Sequence, residues 1–168
     1  MSYSRSNAPI LSFSQNKKTF NDIALGISFK YPQNFEVRET KAGKITYIDV
    51  FPSYLRNEFE PKFIEIIVMP SLSNAPLGEI LLDSYPNITE QQITKLSKKG
   101  AEGVRITEKS NINENFILSY LRFDQKLYLV KFNESYYNPD NPFVAVNNSF
   151  FENIYMGILN SITFTPTQ

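Results

Sequence analysis

The sequence predicts an α+β domain in which an antiparallel β-sheet packs against helices. The first half of the chain alternates apolar and polar residues with the period of two that half-buried strands show. The second half holds two such segments separated by only two residues, which is a hairpin pattern. Near the C-terminus, a wide apolar face recurs at helical spacing, so a helix must pack on the sheet.

The chain length and composition fit one globular domain. The 168 residues are enough to bury a sizeable core, and 42% of them are hydrophobic. Residues 1–20 are polar and are expected to form a flexible leader or linker, with order beginning near Phe20. Residues 21–168 are then expected to form the single domain.

The composition also excludes several classes of site. The chain has no Cys and no His, so disulfides, thiolate chemistry, Cys/His zinc sites and Ser–His–Asp triads cannot form within it. The 17 basic residues balance the 17 acidic ones without forming a cationic stripe. The nearest cluster, Lys95, Lys98 and Lys99, is interpreted as the solvated end of a helix. We therefore expect no nucleic-acid partner, no cofactor and no metal.

No segment is expected to cross a membrane. The longest apolar runs are of strand length, well short of the ~20 residues that a spanning helix needs. The first residues lack the apolar centre of a secretory signal. The chain is expected to be either intracellular or the mature form of an exported protein.

Four strands are predicted in the first half from alternation and from β-branched and aromatic content. Pro32 ends the first of them because proline cannot donate to a strand ladder. The last is the most apolar and is expected to be central. The four segments are residues 26–32, 35–39, 45–51 and 63–69.

The middle of the chain changes to a helical pattern. Residues 76–83 carry leucine and isoleucine at helical spacing, and Pro76 suits a first helical turn. Residues 89–100 are predicted to form a second short helix that stops at Gly100.

Strands then return before a final helix. Residues 103–108 form one strand, and residues 116–123 and 126–132 form a tight hairpin around Asp124 and Gln125. Ser149 and Glu152 have the spacing of a capping box at the start of the last helix. Residues 162–165 finish as a short strand or extended tail.

Three segments together resemble the PsbP-like family, over about residues 22–164. The first, LGISFKYPQNF from Leu25, is similar to the family's opening, with Phe35 in the place of the usual Trp. The second, FDQKLYLVKF from Phe123, is similar to its return strand. The third, ILNSITF from Ile158, is similar to its closing segment, in which Ser161 leaves the helix and Phe164 covers the core.

This resemblance implies an antiparallel sheet covered by helices on both faces, an α/β/α sandwich. Members of the family include extrinsic subunits or assembly factors of photosystem II and exported bacterial lipoproteins, and a nuclear-import factor that binds the Ran GTPase shares the fold. The resemblance therefore implies a non-enzymatic domain that binds a protein outside the cytoplasm, at or near a membrane surface. The chain is expected to be monomeric. Histidines linked to metal in some members have no counterpart here, so no manganese role is implied.

The candidate partner-binding residues lie in an irregular loop, residues 134–143. Tyr136, Tyr137 and Phe143 are large aromatic side chains of the kind enriched at recognition surfaces. The alternative is that they fold back over the end of the last helix. Oxygen-bearing side chains in the same loop could bind calcium, but the EF-hand pattern is missing. These side chains are Asn138, Asp140 and Asn141.

Carboxylates are the remaining acid–base groups, and Glu58, Glu60 and Glu65 lie close together in the sequence. A carboxylate pair can serve a glycosidase. However, Glu65 alternates with isoleucines on a strand and is expected to point to solvent, so a structural role is favoured. Two other functions stay open: a small-molecule binder or carboxylate-dependent hydrolase with a cleft beside the sheet, and an intracellular adaptor.

Overall fold

A computed structural model of the chain describes residues 16–53, 56–57, 63–109, 115–133 and 148–167. These residues form ten strands, two α-helices and one short 3₁₀ turn. In chain order the elements are β1 (Lys17–Asp22), β2 (Ile27–Pro32), β3 (Phe35–Ala42), β4 (Ile45–Pro52), β5 (Ile64–Pro70), α1 (Leu77–Ser84), the 3₁₀ turn (Glu90–Gln92), β6 (Ile93–Lys98), β7 (Ala101–Lys109), β8 (Asn115–Phe123), β9 (Lys126–Asn133), α2 (Asn148–Ser161) and β10 (Thr163–Phe164).

The strands form two antiparallel sheets. The larger has seven strands in the order β3-β4-β5-β9-β8-β7-β6, and the smaller has three in the order β1-β2-β10. β5, which the sequence indicated as central, is an interior strand, and β9 occupies the middle of the seven. Each neighbouring pair in the large sheet is antiparallel.

The two α-helices pack on opposite faces of the large sheet. Because successive side chains of a strand point to opposite faces, β8 contributes alternate residues to the two cores on either side of the sheet. Its Leu118 and Tyr120 join the cluster under α1, whereas Ser119 and Leu121 face α2. The β1-β2-β10 sheet packs beside α2 and contributes Ile27 to that core. The α+β class with helices on both faces of an antiparallel sheet is thus confirmed.

The predicted second helix is wrong. Residues 93–98 form β6, which pairs with β7, and only residues 90–92 make a helical turn. Thr89 and Gln92 form a capping box, so a helical turn does start at the predicted position, but it ends after one turn. Gly100 has φ +76° and closes the β6–β7 hairpin, so its left-handed conformation serves a strand turn and not a helix end.

The first strand begins earlier than the sequence indicated. Residues 17–20, predicted to belong to the leader, are paired with residues 29–32 of β2. Phe20 stacks on Phe29 with ring centroids 4.9 Å apart. The sheet therefore starts at Lys17.

The other predicted elements are confirmed. Asp124 and Gln125 both have positive φ, at 47° and 60°, which is the backbone of a type I′ hairpin turn. The last helix and the short strand after it lie where the pattern placed them. The side chains of Ser149 and Glu152 are outside the described part of the structure.

Candidate functional site

A cleft of about 610 Å³ lies between α1 and the β6–β7 hairpin, at one end of the large sheet. Its lining comes from α1, from the two strands and from Glu90 of the 3₁₀ turn. The residues that line it are Pro76, Gly78, Glu79, Leu82, Glu90, Ile93, Lys95, Leu96, Ala101, Glu102, Gly103 and Val104.

The position of α1 beside the cleft is fixed by Glu102 and Arg122. One carboxylate oxygen of Glu102 accepts a hydrogen bond from the backbone N–H of Leu77 at 2.7 Å, and the other pairs with the Arg122 guanidinium. The first N–H groups of a helix have no partner within the helix, so a carboxylate there satisfies a donor and suits the helix dipole. Pro76 at the cap position makes no such side-chain bond itself.

Arg122 also holds the chain that leads into α1. Its Nη1 donates to the carbonyl oxygens of Ser73 and Ala75, both at 2.8 Å. Deeper under the helix, the hydroxyls of Tyr85 and Tyr120 are 2.5 Å apart. The α1 wall is thus bound to the sheet by polar contacts as well as by buried Leu77 and Leu81.

The opposite wall is the outer strand of the sheet. Gly103 of β7 lies against β6, and a Cβ atom there would be 2.8 Å from Leu121 Cδ2 and 2.9 Å from Leu96 Cβ. Only glycine allows this approach, as is typical of glycine within a strand. Lys98 of β6 turns away from the cleft, because its Nζ donates to the carbonyl of Asn160 at the end of α2, at 2.7 Å. Burial lowers the pKa of Lys98.

The charges around the cleft are unequal. Glu79 and Glu90 are exposed on the rim, and neither forms an ion pair with a described residue. Lys95 is the cation of the lining, whereas the carboxylate of Glu102 is already bound to Arg122. The unpaired charge at the rim is therefore negative on balance.

The aromatic residues that the sequence proposed for partner binding lie outside the described residues, as do the other loop and carboxylate candidates. These are Tyr136, Tyr137, Phe143, Asn138, Asp140, Asn141, Glu58 and Glu60.

The prediction that Glu65 points to solvent is wrong. Its side chain is only 9% exposed, and Lys131 Nζ is 3.3 Å from its carboxylate. Glu65 lies in a transverse row that crosses four strands, in register with Arg38, Asp49 and Lys131. The two carboxylates of the row are flanked by a cation on each side, which offsets their mutual repulsion.

The cleft residues had weak signals in the sequence. Gly103 begins the predicted strand 103–108 and lies inside the observed β7, where a glycine is typical of close backbone approach. Glu102 and Arg122 looked like ordinary surface charges on their strands, and nothing in the sequence joins either to residue 77. No group of three or more carboxylates suitable for a metal is present among the described residues. Within the same ranges, no helix is long and apolar enough to cross a membrane.

Comparison with solved structures identifies the fold. The chain superposes on the solution structure of cyanobacterial PsbP (CyanoP) from Synechocystis sp. PCC 6803, with a TM-score of 0.51. The match covers 97% of this chain and 98% of the other, at 11% sequence identity. The chain has the PsbP-like fold. No protein-family model and no curated protein sequence matches it.

The three segments that carried the PsbP-like resemblance meet at one place in this fold, the turn between β1 and β2. Lys126 Nζ and the Tyr128 hydroxyl donate to the carbonyls of Ala24 and Leu25, each at 2.8 Å. The N–H of Thr165, just after the closing segment, donates to the carbonyl of Gly26 at 3.0 Å. The three segments of the PsbP-like resemblance therefore contact one another around a single turn, which is a structural role.

The closing segment of the PsbP-like fold also ties α2 to β2. The Ser161 hydroxyl accepts a hydrogen bond from the N–H of Lys30 at 2.8 Å and reaches the carbonyl of Ile158 at 2.8 Å. Phe164 stacks on Phe123 with centroids 5.2 Å apart, as expected for a residue that covers the core. Burial and the nearby Asp124 carboxylate raise the pKa of Tyr128 to about 12.

Proposed function

We propose that this chain is a non-enzymatic protein-binding or assembly domain, and that the cleft between α1 and β6 is its binding surface. The observation that carries the proposal is an open cleft beside an exposed sheet edge, with a wall that Glu102 and Arg122 hold in place. A preformed surface favours binding, because ordering a loose surface on binding costs affinity.

Three of the described carboxylates are held in structural contacts, which argues against hydrolysis by those groups. Glu65 is bound to Lys131, Glu36 to Arg56, and Glu102 to Arg122 and the start of α1. A catalytic carboxylate pair needs one member that can hold or release a proton at the reacting bond. Carboxylates already engaged in these structural contacts are poor candidates for that role.

We further propose that the domain acts outside the cytoplasm, at or near a membrane surface. The resemblance supports this, since exported lipoproteins and photosystem II subunits are among the proteins it implies. Cell fractionation with an antibody against the domain tests the location. Recovery with the envelope or the exterior supports the proposal, whereas recovery in the cytosol favours the intracellular-adaptor alternative.

A capture experiment with paired variants tests the binding surface. The wild-type domain, Glu79→Lys and Asp83→Lys are each used as bait with membrane and soluble fractions. Glu79 lines the cleft, while Asp83 is exposed on the same helix outside it, so the two variants carry the same charge change. We expect a partner that the wild type and Asp83→Lys retain and Glu79→Lys loses. Equal capture by all three baits would show that the partner does not bind at the cleft.

A second function is favoured by the cleft's size. Its volume of about 610 Å³ lies within the range of small-molecule sites, roughly 300–1,000 Å³. A metabolite screen that follows the unfolding temperature separates the two functions. A compound that raises the unfolding temperature of the wild type but not of Glu79→Lys would favour a small-molecule binder. Turnover of that compound, lost on substitution of one carboxylate, would establish the hydrolase.

A further inference from the structure

We propose that the partner binds as an extended strand along the free edge of β6 and directs basic side chains into the cleft. This inference rests on the proposed protein-binding function and specifies its mode and the partner's chemistry. Three features of the described residues carry it: the edge of β6, the charges on the rim, and the partly exposed apolar floor.

The edge of β6 is an available template for another strand. In the described part of the chain, β6 pairs with β7 only, and it is the last strand of the seven-stranded sheet. None of its six residues is buried. An edge strand presents N–H and C=O groups on its outer side, and extended peptides add to such edges through main-chain hydrogen bonds.

The two lysines of β6 do not both protect this edge. Natural edge strands are commonly protected by lysine side chains. Lys98, however, is bound to the carbonyls at the end of α2, which takes its ammonium group away from the edge. Lys95 is the remaining lysine of the strand, and it lines the cleft itself.

The rim determines which charge the partner carries. Glu79 from α1 and Glu90 from the 3₁₀ turn are both exposed, and neither is ion-paired to a described residue. Lys95 balances only one of these two carboxylates. A segment with lysine or arginine pointing into the cleft gains favourable contacts there, whereas an acidic segment meets like charge.

The floor of the cleft suits an apolar side chain between the basic ones. Leu82 and Ile93 are partly exposed in the cleft wall, and Val104 lies buried in the same apolar cluster. Residues two apart on a strand point to the same face. The occupant is therefore an extended segment whose alternate residues are basic, apolar and basic.

A synthetic peptide tests this mode. The probe is acetyl-Thr-Lys-Thr-Val-Thr-Lys-Thr-amide, and its charge control has glutamate in place of both lysines. A third peptide keeps the lysines but has alternate backbone nitrogens methylated, which removes main-chain donors. Binding is followed by amide chemical shifts of the isotope-labelled domain during titration.

The lysine peptide is expected to shift the amides of residues 93–98 and of the first turns of α1. We expect Glu79→Lys to weaken this binding by roughly three- to tenfold, because a single exposed ion pair contributes little, and Asp83→Lys to leave it unchanged. The glutamate and methylated peptides should show no saturable shifts. Equal binding of either control peptide, shifts confined to another surface, or no binding of the lysine peptide at millimolar concentration would overturn strand addition.

The capture experiment keeps this result separate from the broader function. If Glu79→Lys loses a natural partner while the lysine peptide fails to bind β6, the cleft binds protein by another mode. If Glu79→Lys retains every partner as well, both the cleft and the strand mode are wrong.

Discussion

Glu102 and Arg122 lie directly opposite each other on β7 and β8 and form an ion pair that also holds the start of α1. Between them they bind the backbone of three residues upstream, Ser73, Ala75 and Leu77. Only 16% of the Arg122 side chain is exposed. The contact therefore couples the position of a helix to the strand register of the sheet on which it packs.

Removal of Arg122 is expected to loosen α1. In Arg122→Ala, two carbonyls and the Glu102 carboxylate lose a charged donor, so we expect a loss of about 1–3 kcal/mol in the free energy of unfolding. Urea denaturation measures the loss, and amide exchange should quicken in residues 77–84. Arg56→Ala is the matched control, because Arg56 makes the same type of pair with Glu36 at an exposed site. A loss in the control as large as in Arg122→Ala would contradict this role.

Two glycines near the cleft should respond to alanine with opposite signs. At Gly103, a Cβ atom would clash with Leu121 and Leu96, so we expect Gly103→Ala to destabilise the domain by about 1–3 kcal/mol. At Gly78 in α1, no atom lies within 4 Å of the added carbon. Alanine there should stabilise by up to about 1 kcal/mol through helix propensity. Chemical denaturation gives both values. Unchanged or higher stability of Gly103→Ala would contradict the packing of β6 on β7, and a loss of stability in Gly78→Ala would contradict the open space at that position.

The domain should lose stability in alkaline solution. Burial raises the pKa of Tyr128 to about 12, against an ordinary value of 10.0, and burial also raises that of Tyr155. Above pH 10 the unfolded chain releases these protons while the folded one keeps them, so the free energy of unfolding falls as pH rises. Between its pKa in the unfolded chain and its pKa in the folded one, each tyrosine contributes a slope of up to about 1.4 kcal/mol per pH unit.

Denaturation midpoints between pH 8 and 11 measure this effect (roughly the interval around the ordinary tyrosine pKa). Tyr128→Phe should flatten the dependence, although it also loses the hydrogen bond to the Leu25 carbonyl. Tyr85→Phe is the control for the loss of a tyrosine hydrogen bond, because the Tyr85 hydroxyl is bonded to that of Tyr120. A wild-type midpoint that stays constant to pH 11 would contradict the raised pKa values of Tyr128 and Tyr155, because stability is independent of pH only when folding leaves these pKa values unchanged.

The aromatic loop residues remain predicted partner contacts. Tyr136→Ala and Tyr137→Ala are expected to weaken capture of a partner while the unfolding temperature stays unchanged, because exposed recognition aromatics contribute to binding and not to the core. Capture and thermal unfolding of each variant are measured together. Unfolding of both variants would place the rings in the core, and full retention of the partner would remove them from the binding surface.

Patterns that depend on neighbouring residues were readable from the sequence. The β8–β9 hairpin followed from alternation on either side of Asp124 and Gln125, and the apolar face of α2 required a sheet beneath it. The β6 prediction failed because Thr89 and Gln92 do form a helical cap, and the pattern after them fits a short helix as well as an edge strand. Residues 93–98 form a strand because they pair with β7, and the local sequence does not predict that pairing.

The candidate site was harder to predict because its contacts are distant along the chain. Alternation predicted the face of β5 on which Glu65 lies. It did not predict that Glu65 is buried there. One wall of the cleft is held by the bond from the Leu77 N–H to the Glu102 carboxylate, a contact across 25 residues. No spacing rule links those two positions.

Site-specific photo-crosslinking in living cells examines the cleft itself. A photoreactive amino acid is placed at Lys95, which lines the cleft, or at Lys44, which is exposed at the turn after β3 near the opposite edge of the sheet. We predict a discrete protein adduct from position 95 that is missing from position 44 and lost when Glu79→Lys is added. Adducts from position 44 alone, or identical adducts from both positions, would contradict protein binding at the cleft.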